Sequence, residues 1–150
     1  MADVYPLQAV LPPSSKASSI ATQPYDVMSR VEAATMAGNN PLSFLHVTRA
    51  EIDLPDEVDE HDPQVYEKAR ENYEKLKRLA PLQRDGRPLY YVYAQEMGDH
   101  RQVGIAAAAS IDDYDQSVIR QHEKTRREKE DDRTQHILTV GAQTGPVFLT

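Results

Sequence analysis

A run of thirteen residues near the C-terminal end of the chain holds most of the side chains that could do chemistry. Residues 121–133 contain five carboxylates, five basic side chains, one imidazole and one hydroxyl, with no large apolar side chain among them. Carboxylates and an imidazole can move protons, and lysine and arginine can neutralise phosphate oxygens. This charged segment therefore has the composition that phosphoryl transfer requires.

The groups of the charged segment divide into three candidate roles. His122 or Glu123 is the candidate general base, and Asp132 is a further carboxylate able to orient an attacking hydroxyl. Mg²⁺ prefers oxygen ligands, which Glu123, Asp131 and Asp132 could supply. The side chains assigned to phosphate oxygens are Lys124, Thr125, Arg126, Lys129 and Arg133. The alternative is a solvated helix face, in which pairs four residues apart contribute only about 0.3 kcal/mol each.

Tyr25 and Asp26 form a second candidate group. Pro24 restricts the backbone just before them, and an aspartate ahead of a helix can accept backbone N–H bonds as a cap. The alternative is that both side chains face a ligand, so we include them among the candidate phosphate- or nucleotide-binding residues.

The other histidines have simpler interpretations. His46 lies in a strand pattern and is interpreted as a core or edge histidine with satisfied hydrogen bonds rather than as a ligand. His61 and His100 are predicted to be exposed. His136 follows Asp132 by four residues on a predicted helix, which favours a salt bridge or a supporting role beside that carboxylate.

Length and composition restrict the class of protein. A chain of 150 residues favours one domain with its own core, and a net charge of −7 disfavours a nucleic-acid partner. The absence of cysteine excludes disulfides and thiolate chemistry. No apolar run approaches the length of about 20 residues that a membrane span needs, and the N-terminus lacks a signal-peptide pattern. We therefore expect a cytoplasmic protein with a small-molecule or nucleotide partner.

Local signals place the elements that must position these residues. Ser29 with Glu32 is a capping box, and Asp62 followed by Pro63 begins a second helix. The predicted elements are, in order, an extended arm over 1–24 with a short strand near 7–11, a helix ending at 37, a strand at 43–48, a surface loop at 49–61, a helix at 63–79, a hairpin of strands at 89–97 and 101–111, helices at 113–121 and 129–140, and a final strand from 145.

This order predicts an α+β fold with a mixed, largely antiparallel sheet and flanking helices. We expect an arm over residues 1–24 and a single domain over residues 25–150. Because the last residues have the pattern of a buried strand, we also expect the chain to be the N-terminal part of a longer protein.

Several segments together resemble the domain-of-unknown-function family 1015 (DUF1015). The segments that carry the resemblance are 24–27 (Pro-Tyr-Asp-Val), 40–47 (Asn-Pro-Leu-Ser-Phe-Leu-His-Val), 51–55 (Glu-Ile-Asp-Leu-Pro), 122–125 (His-Glu-Lys-Thr) and 129–133 (Lys-Glu-Asp-Asp-Arg). Gln23 departs from the family pattern, in which a second proline is usual.

The resemblance implies a function for the charged segment. Members of the family are similar to the ParB/sulfiredoxin-like superfamily, which includes nucleotide-dependent enzymes and a kinase acting on free serine. This implies an α+β core that binds ATP or ADP with Mg²⁺ and transfers phosphate to a small hydroxyl-bearing metabolite. A Gly-His-His-Arg type phosphate motif of the family is missing here, and the sequence does not indicate an oligomeric state. The alternative is a non-catalytic binding or regulatory module.

Overall fold

A computed structural model of the chain, which describes residues 2–120 and 125–147, confirms the α+β class. Its α-helices are α1 (Ser14–Ile20), α2 (Arg30–Ala37), α3 (Leu45–Thr48), α4 (Pro63–Leu79), α5 (Ile111–Asp115) and α6 (Arg127–Val140). Its strands are β1 (Val4–Tyr5), β2 (Val10–Leu11), β3 (Gln83–Arg84), β4 (Tyr91–Met97), β5 (His100–Ala106) and β6 (Ala108–Ala109). Across these residues, no helix combines the length and apolar character that crossing a bilayer requires.

The strands form three separate antiparallel pairs. β1 pairs with β6, β2 with β3, and β4 with β5. Antiparallel pairing is therefore as predicted, but over the described ranges the three pairs do not join into one sheet with flanking helices. The ParB/sulfiredoxin-like topology stays a prediction.

Contacts between residues divide the chain into two compact units. The strand unit comprises the described residues of Met1–Leu11 and Gln83–Lys124, and the helical unit those of Pro12–Leu82 and Thr125–Thr150. The sequence predicted an arm over residues 1–24 and one domain over residues 25–150. The contacts instead divide residues 25–150 between the two units and place one part of the arm in each unit.

The β4–β5 hairpin dominates the strand unit. Its register runs from Tyr91 opposite Ala106 to Met97 opposite His100. The two-residue turn between them contains Gly98 at a φ of 58°, a conformation that favours glycine. The predicted hairpin is confirmed.

The two main predicted helices of the helical unit begin where their caps predicted. Ser29 accepts a hydrogen bond from the Glu32 backbone N–H while the Glu32 carboxylate accepts from the Ser29 N–H, so the capping box of α2 is complete. Asp62 caps α4, with Pro63 as its first residue. Both helices are set by local side-chain chemistry.

The core of the helical unit has two buried clusters. The larger comprises Ile20, Val47, Ala50, Val65, Ala69, Leu76, Ala80 and Val140. The smaller comprises Met28, Ala33, Ala37 and Leu45. Because α4 packs against both α3 and α6, side chains distant in sequence are brought together along it.

The strand predicted at 43–48 is wrong, because this segment contains the one-turn helix α3. Leu45 packs into the smaller cluster and Val47 into the larger one. Residues two apart point to opposite sides of a helix but to the same side of a strand. Burial between two clusters therefore selects the helix in spite of the β-branched and aromatic residues.

The extended arm is also wrong in part, because α1 occupies Ser14–Ile20. The helix begins directly after the two prolines, and Pro13 is its N-cap residue. The Asn40 side chain donates to the Ser19 carbonyl at 2.7 Å and the Phe44 N–H donates to the Ile20 carbonyl at 3.1 Å. These tertiary bonds hold the segment in the helical unit.

Three smaller predictions differ from the structure. The apolar pattern of the helix at 63–79 predicts burial of Leu79, but this residue is 46% exposed, because the adjacent Ala80 takes the buried place at the end of α4. The helix predicted at 113–121 is α5, which begins earlier at the cap Ser110 and ends at Asp115. Residues 145–147 are not in a strand, and the rest of the predicted final strand lies outside the described residues.

The predicted surface loop at 49–61 is more ordered than its composition suggests. Glu51 is buried and its carboxylate lies 2.6 Å from Nε of Arg49. The Arg30 guanidinium donates hydrogen bonds to the carbonyls of Glu51, Leu54, Pro55, Asp56 and Val58. One arginine of α2 thus fixes the path of this loop.

Candidate functional site

One face of α6 brings the charged segment into contact with the helical unit. Residues 125–131 are exposed, whereas Asp132 and Arg133 are half-buried and His136 and Val140 are buried. Because residues four apart share a helix face, this face meets α4 while the first turn of α6 stays in solvent.

The Asp132 carboxylate is the centre of a group that we call the Asp132 cluster: Tyr25, His61, Tyr66, Asp132 and Arg133. The Tyr66 hydroxyl donates to Oδ1 of Asp132 at 2.9 Å, and Nδ1 of His61 lies 3.1 Å from the same oxygen. Arg133 donates to Oδ2 from Nε at 2.9 Å, and its Nη2 lies 2.7 Å from the same oxygen as an ion pair. Both carboxylate oxygens are therefore engaged.

These contacts change the ionisation of two groups. Desolvation would raise the pKa of Asp132, but the hydrogen bond and charge of Arg133, with hydrogen bonds from Tyr66 and His61, outweigh it and lower the pKa. Burial, together with the hydrogen bond and charge of Asp132, raises the pKa of Tyr66 to about 12. At neutral pH the cluster thus contains a carboxylate anion and a neutral phenol.

Arg133 is held from a second direction by Tyr25. Its guanidinium carbon lies 4.4 Å from the centroid of the Tyr25 ring, which is cation–π geometry. The structure thus brings together Tyr25, Asp132 and Arg133, three predicted site residues more than a hundred positions apart at their extremes.

Asp132 is better suited to positioning than to proton transfer. A lowered pKa makes a carboxylate a weaker base, and hydrogen bonds to both oxygens oppose a new proton. The Asp132 carboxylate holds Arg133 and Tyr66 in place. Its role as a catalytic base or metal ligand stays a prediction.

The other predicted site residues that the structure describes are not gathered around the cluster. Asp131 is 75% exposed and lies 3.9 Å from Arg127, consistent with a solvated i,i+4 pair. Thr125 and Lys129 are exposed at the start of α6. Asp26 is exposed in the 3₁₀ turn Tyr25–Val27, and the cap of α2 is Ser29 instead.

The two candidate bases His122 and Glu123 lie outside the described residues, so their roles stay predictions. The predicted salt bridge between Asp132 and His136 is wrong, because Nε2 of His136 is 2.9 Å from the Val47 carbonyl. His136 is only 3% exposed, and burial lowers its pKa, which favours the neutral ring that donates to this carbonyl.

Sequence reasoning missed His61 and Tyr66 as members of the cluster. His61 is largely exposed, as predicted, yet its ring reaches Asp132 across 71 positions of sequence. Tyr66 is buried on α4. No spacing in the sequence links either residue to Asp132, because the link is made by packing of α6 on α4.

A second group of polar side chains surrounds a cleft in the helical unit, which we call the His46 cleft. Nδ1 of His46 lies 2.9 Å from an oxygen of Asp53, and Asn72 donates to the same carboxylate at 2.7 Å. The Asp53 hydrogen bond raises the pKa of His46, although desolvation opposes it. Desolvation would raise the pKa of Asp53, but the hydrogen bond and charge of His46 outweigh it and lower the pKa.

The predicted Mg²⁺ site at Asp131 and Asp132 does not have converging ligands in the structure. Within residues 2–120 and 125–147, no three His, Asp or Glu side chains are grouped so as to hold a metal ion. Adjacent helical residues point about 100° apart, which separates these two carboxylates. The metal therefore stays a prediction.

Comparison with known families gives one match. The model of a family described as "Protein of unknown function (DUF1015)" matches residues 4–150. The chain belongs to DUF1015. Neither a search of curated proteins nor a search of solved structures gave a match.

Membership in DUF1015 confirms the resemblance on which the sequence interpretation relied. The family description names no activity, ligand or partner. The function therefore has to be argued from the geometry of the Asp132 cluster and of the His46 cleft.

Proposed function

We propose that this DUF1015 protein binds ATP or ADP, together with Mg²⁺, through the Asp132 cluster. In this proposal the nucleotide serves a cytoplasmic phosphotransferase that acts on a small hydroxyl-bearing metabolite such as serine. The observation that carries the proposal is the guanidinium of Arg133, fixed between a carboxylate and an aromatic ring.

Arg133 has the properties of a phosphate ligand. Nε and Nη2 are used by Asp132, whereas Nη1 has no partner among the residues that the structure describes. The side chain is 29% exposed, so an anion can reach it. A guanidinium that is already oriented loses less entropy on binding phosphate, and its charge-assisted bonds are strong.

Lys129 adds a second cation on the same side of α6. It precedes Arg133 by four residues, so the two side chains share a helix face. Lys129 makes no ion pair with any described residue, which leaves its ammonium group available. The pair fits the spread negative charge of a nucleotide polyphosphate.

The chemical step needs groups beyond the cluster. Because the Asp132 carboxylate is committed to Arg133 and Tyr66, we assign the general base to His122 or Glu123. Asp131 is assigned to the metal, and a Mg²⁺ ion held there would offset the negative charge of the phosphate groups. Thr125, Tyr25 and Asp26 complete the proposed nucleotide-binding set.

The direct test is titration of ATP and ADP with Mg²⁺ into the protein, followed by calorimetry and by thermal unfolding. We expect heat of binding and a higher unfolding temperature at millimolar nucleotide. Arg133→Ala should abolish both signals. Arg127→Ala is the matched control, because Arg127 is on the same helix but 92% exposed.

Two outcomes would contradict the proposal. The first is the absence of heat and of any thermal shift with the unaltered protein. The second is equal loss of binding in the Arg133 and Arg127 variants, which would show that only the overall charge of α6 matters. Circular dichroism of each variant establishes that the fold is kept.

A second candidate function is a non-catalytic binding or regulatory module. It is favoured because both oxygens of the Asp132 carboxylate are already engaged. The cluster therefore orients Arg133 but has no carboxylate free to act as a base. This alternative predicts nucleotide binding with no release of ADP when serine or another small hydroxyl compound is added. ADP formation that depends on Glu123 or His122 would rule it out.

A further inference from the structure

The His46 cleft has the size and chemistry of a small-molecule site. It has a volume of about 370 Å³, within the range of roughly 300–1,000 Å³ found for ligand pockets. The lining residues that matter here are Asn39, Ser43, His46, Lys68, Asn72 and Lys75. The cleft shares no residue with the Asp132 cluster, so a ligand bound there is independent of the proposed function.

The His46 ring is arranged as a cation at the wall of this cleft. Nδ1 faces the Asp53 carboxylate at 2.9 Å, and Nε2 faces the Asn40 carbonyl at 3.2 Å. Both neighbours are acceptors, and only the doubly protonated ring can donate to both. Its charge is offset locally by Asp53, the single carboxylate among the described residues that line the cleft.

Helix α4 contributes two further cations. Lys68 and Lys75 are seven residues apart, which places them two turns apart on the same face as Asn72. Lys68 is paired with Glu71 at 2.9 Å. Lys75 makes no ion pair with any residue in the described part of the chain, so its ammonium group adds an uncompensated positive charge to the cleft.

Neutral donors complete the lining. The Ser43 hydroxyl oxygen accepts from the Leu45 N–H at 3.4 Å, which leaves its proton free to donate. The Asn39 side chain has no partner among the described residues. A cleft that carries net positive charge and many hydrogen-bond donors attracts anions, since its one carboxylate is already paired with His46.

We propose that the His46 cleft binds the anionic group of a small metabolite, a phosphate or a carboxylate, with Lys75 as the principal charge and Asn39, Ser43 and His46 around it. The other charged residues of the lining already have partners. Lys68 is paired with Glu71, and Asp53 is paired with His46. Lys75 therefore determines the affinity more than any other side chain of the cleft.

The test uses inorganic phosphate and succinate as separate probes, with NMR detection of the His46 ring and of the amides of residues 39, 43 and 72. We expect one or both probes to shift these signals in a saturable manner. Lys75→Ala should raise the dissociation constant about tenfold, as for loss of one charge-assisted contact. The probe that binds more tightly identifies the anionic group.

Lys77→Ala is the matched control for overall charge. Lys77 lies on the same helix, but it is paired with Glu74 at 2.5 Å and sits over the Tyr73 ring. Equal weakening in both lysine variants would overturn the proposal, as would the absence of saturable shifts in the unaltered protein. Arg133→Ala should leave these shifts unchanged, so failure here is distinguishable from failure of nucleotide binding.

Discussion

The helical unit and the strand unit differ in how their residues are held. Within the described ranges, every buried apolar residue belongs to the helical unit. In the strand unit, Val92, Val103 and Ile105 of the hairpin are 79%, 57% and 74% exposed. Packing fixes side chains in the first unit, whereas backbone pairing defines the second.

The difference explains where the candidate sites lie. Functional groups must be held closely to bind a ligand, and a packed helix pair does this better than a two-stranded ribbon. Both the Asp132 cluster and the His46 cleft are formed by α4 with a neighbouring element. The strand unit has its own anchor in the Tyr91 hydroxyl, which contacts Asp85, the Leu7 carbonyl and the Ala9 N–H.

The largest expected contrast concerns packing. Leu45→Ala should lower the free energy of unfolding by about 2–5 kcal/mol, because it leaves a cavity between elements of the helical unit. Ile105→Ala should cost at most about 1 kcal/mol, since the side chain is largely exposed and loses only strand preference. Urea unfolding followed by circular dichroism measures both. Equal costs would contradict the contrast between the units.

A smaller effect is expected from Asp132→Asn. The substitution should destabilise the protein by about 1–3 kcal/mol, because Arg133 loses its charged partner within a partly buried group. The pKa of Tyr66 should fall from about 12 toward the ordinary value of about 10, as followed by NMR. Asp131→Asn, on the exposed face, is the control and should change stability by no more than about 0.5 kcal/mol.

The pairing of His46 with Asp53 in the His46 cleft predicts that the stability of the protein depends on pH. A raised pKa means that the folded state favours protonated His46, so its stabilisation is present below the unfolded value of about 6.5. That stabilisation is lost as the pH rises through the higher folded pKa. His46→Gln should remove this decline, and Asp53→Asn should lower the His46 pKa measured by NMR. An unchanged profile in both variants would contradict the pairing.

His136 predicts the opposite pH dependence. Its pKa is lowered by burial, so its neutral form stabilises the fold above about pH 6.5. This contribution is lost as the pH falls through the lower folded pKa. In His136→Gln, the free energy of unfolding should fall less steeply as the pH is lowered, and its maximum value should be smaller. A steeper acid limb in the variant would show that the ring is charged in the folded protein.

The smallest expected effect is in the hairpin. Gly98→Ala should cost about 1 kcal/mol, because alanine is strained at a φ of 58°. Gly104→Ala, in β5, should cost nothing, since a Cβ added there would meet no heavy atom within 4 Å. Hydrogen exchange of the β4–β5 amides compares the two. A similar loss of protection in both variants would mean that turn conformation is not what holds this ribbon.

Local sequence accounts for some elements of the fold and not for others. Helices α2 and α4 and the β4–β5 hairpin were predicted because their caps, turn glycine and residue types act within a few positions. Helix α3 was mistaken for a strand because its conformation depends on burial between two clusters. Of the Asp132 cluster, the sequence indicated Tyr25, Asp132 and Arg133 through their types and the family resemblance.

By itself, the sequence determined the α+β class, the ends of the capped helices and the antiparallel hairpin, because these depend on contacts between near neighbours. Only the tertiary structure decided that His61 and Tyr66 meet Asp132, and that His136 meets Val47. Burial and hydrogen bonds between residues 66 to 89 positions apart leave no local period, so they arise only when the helices pack.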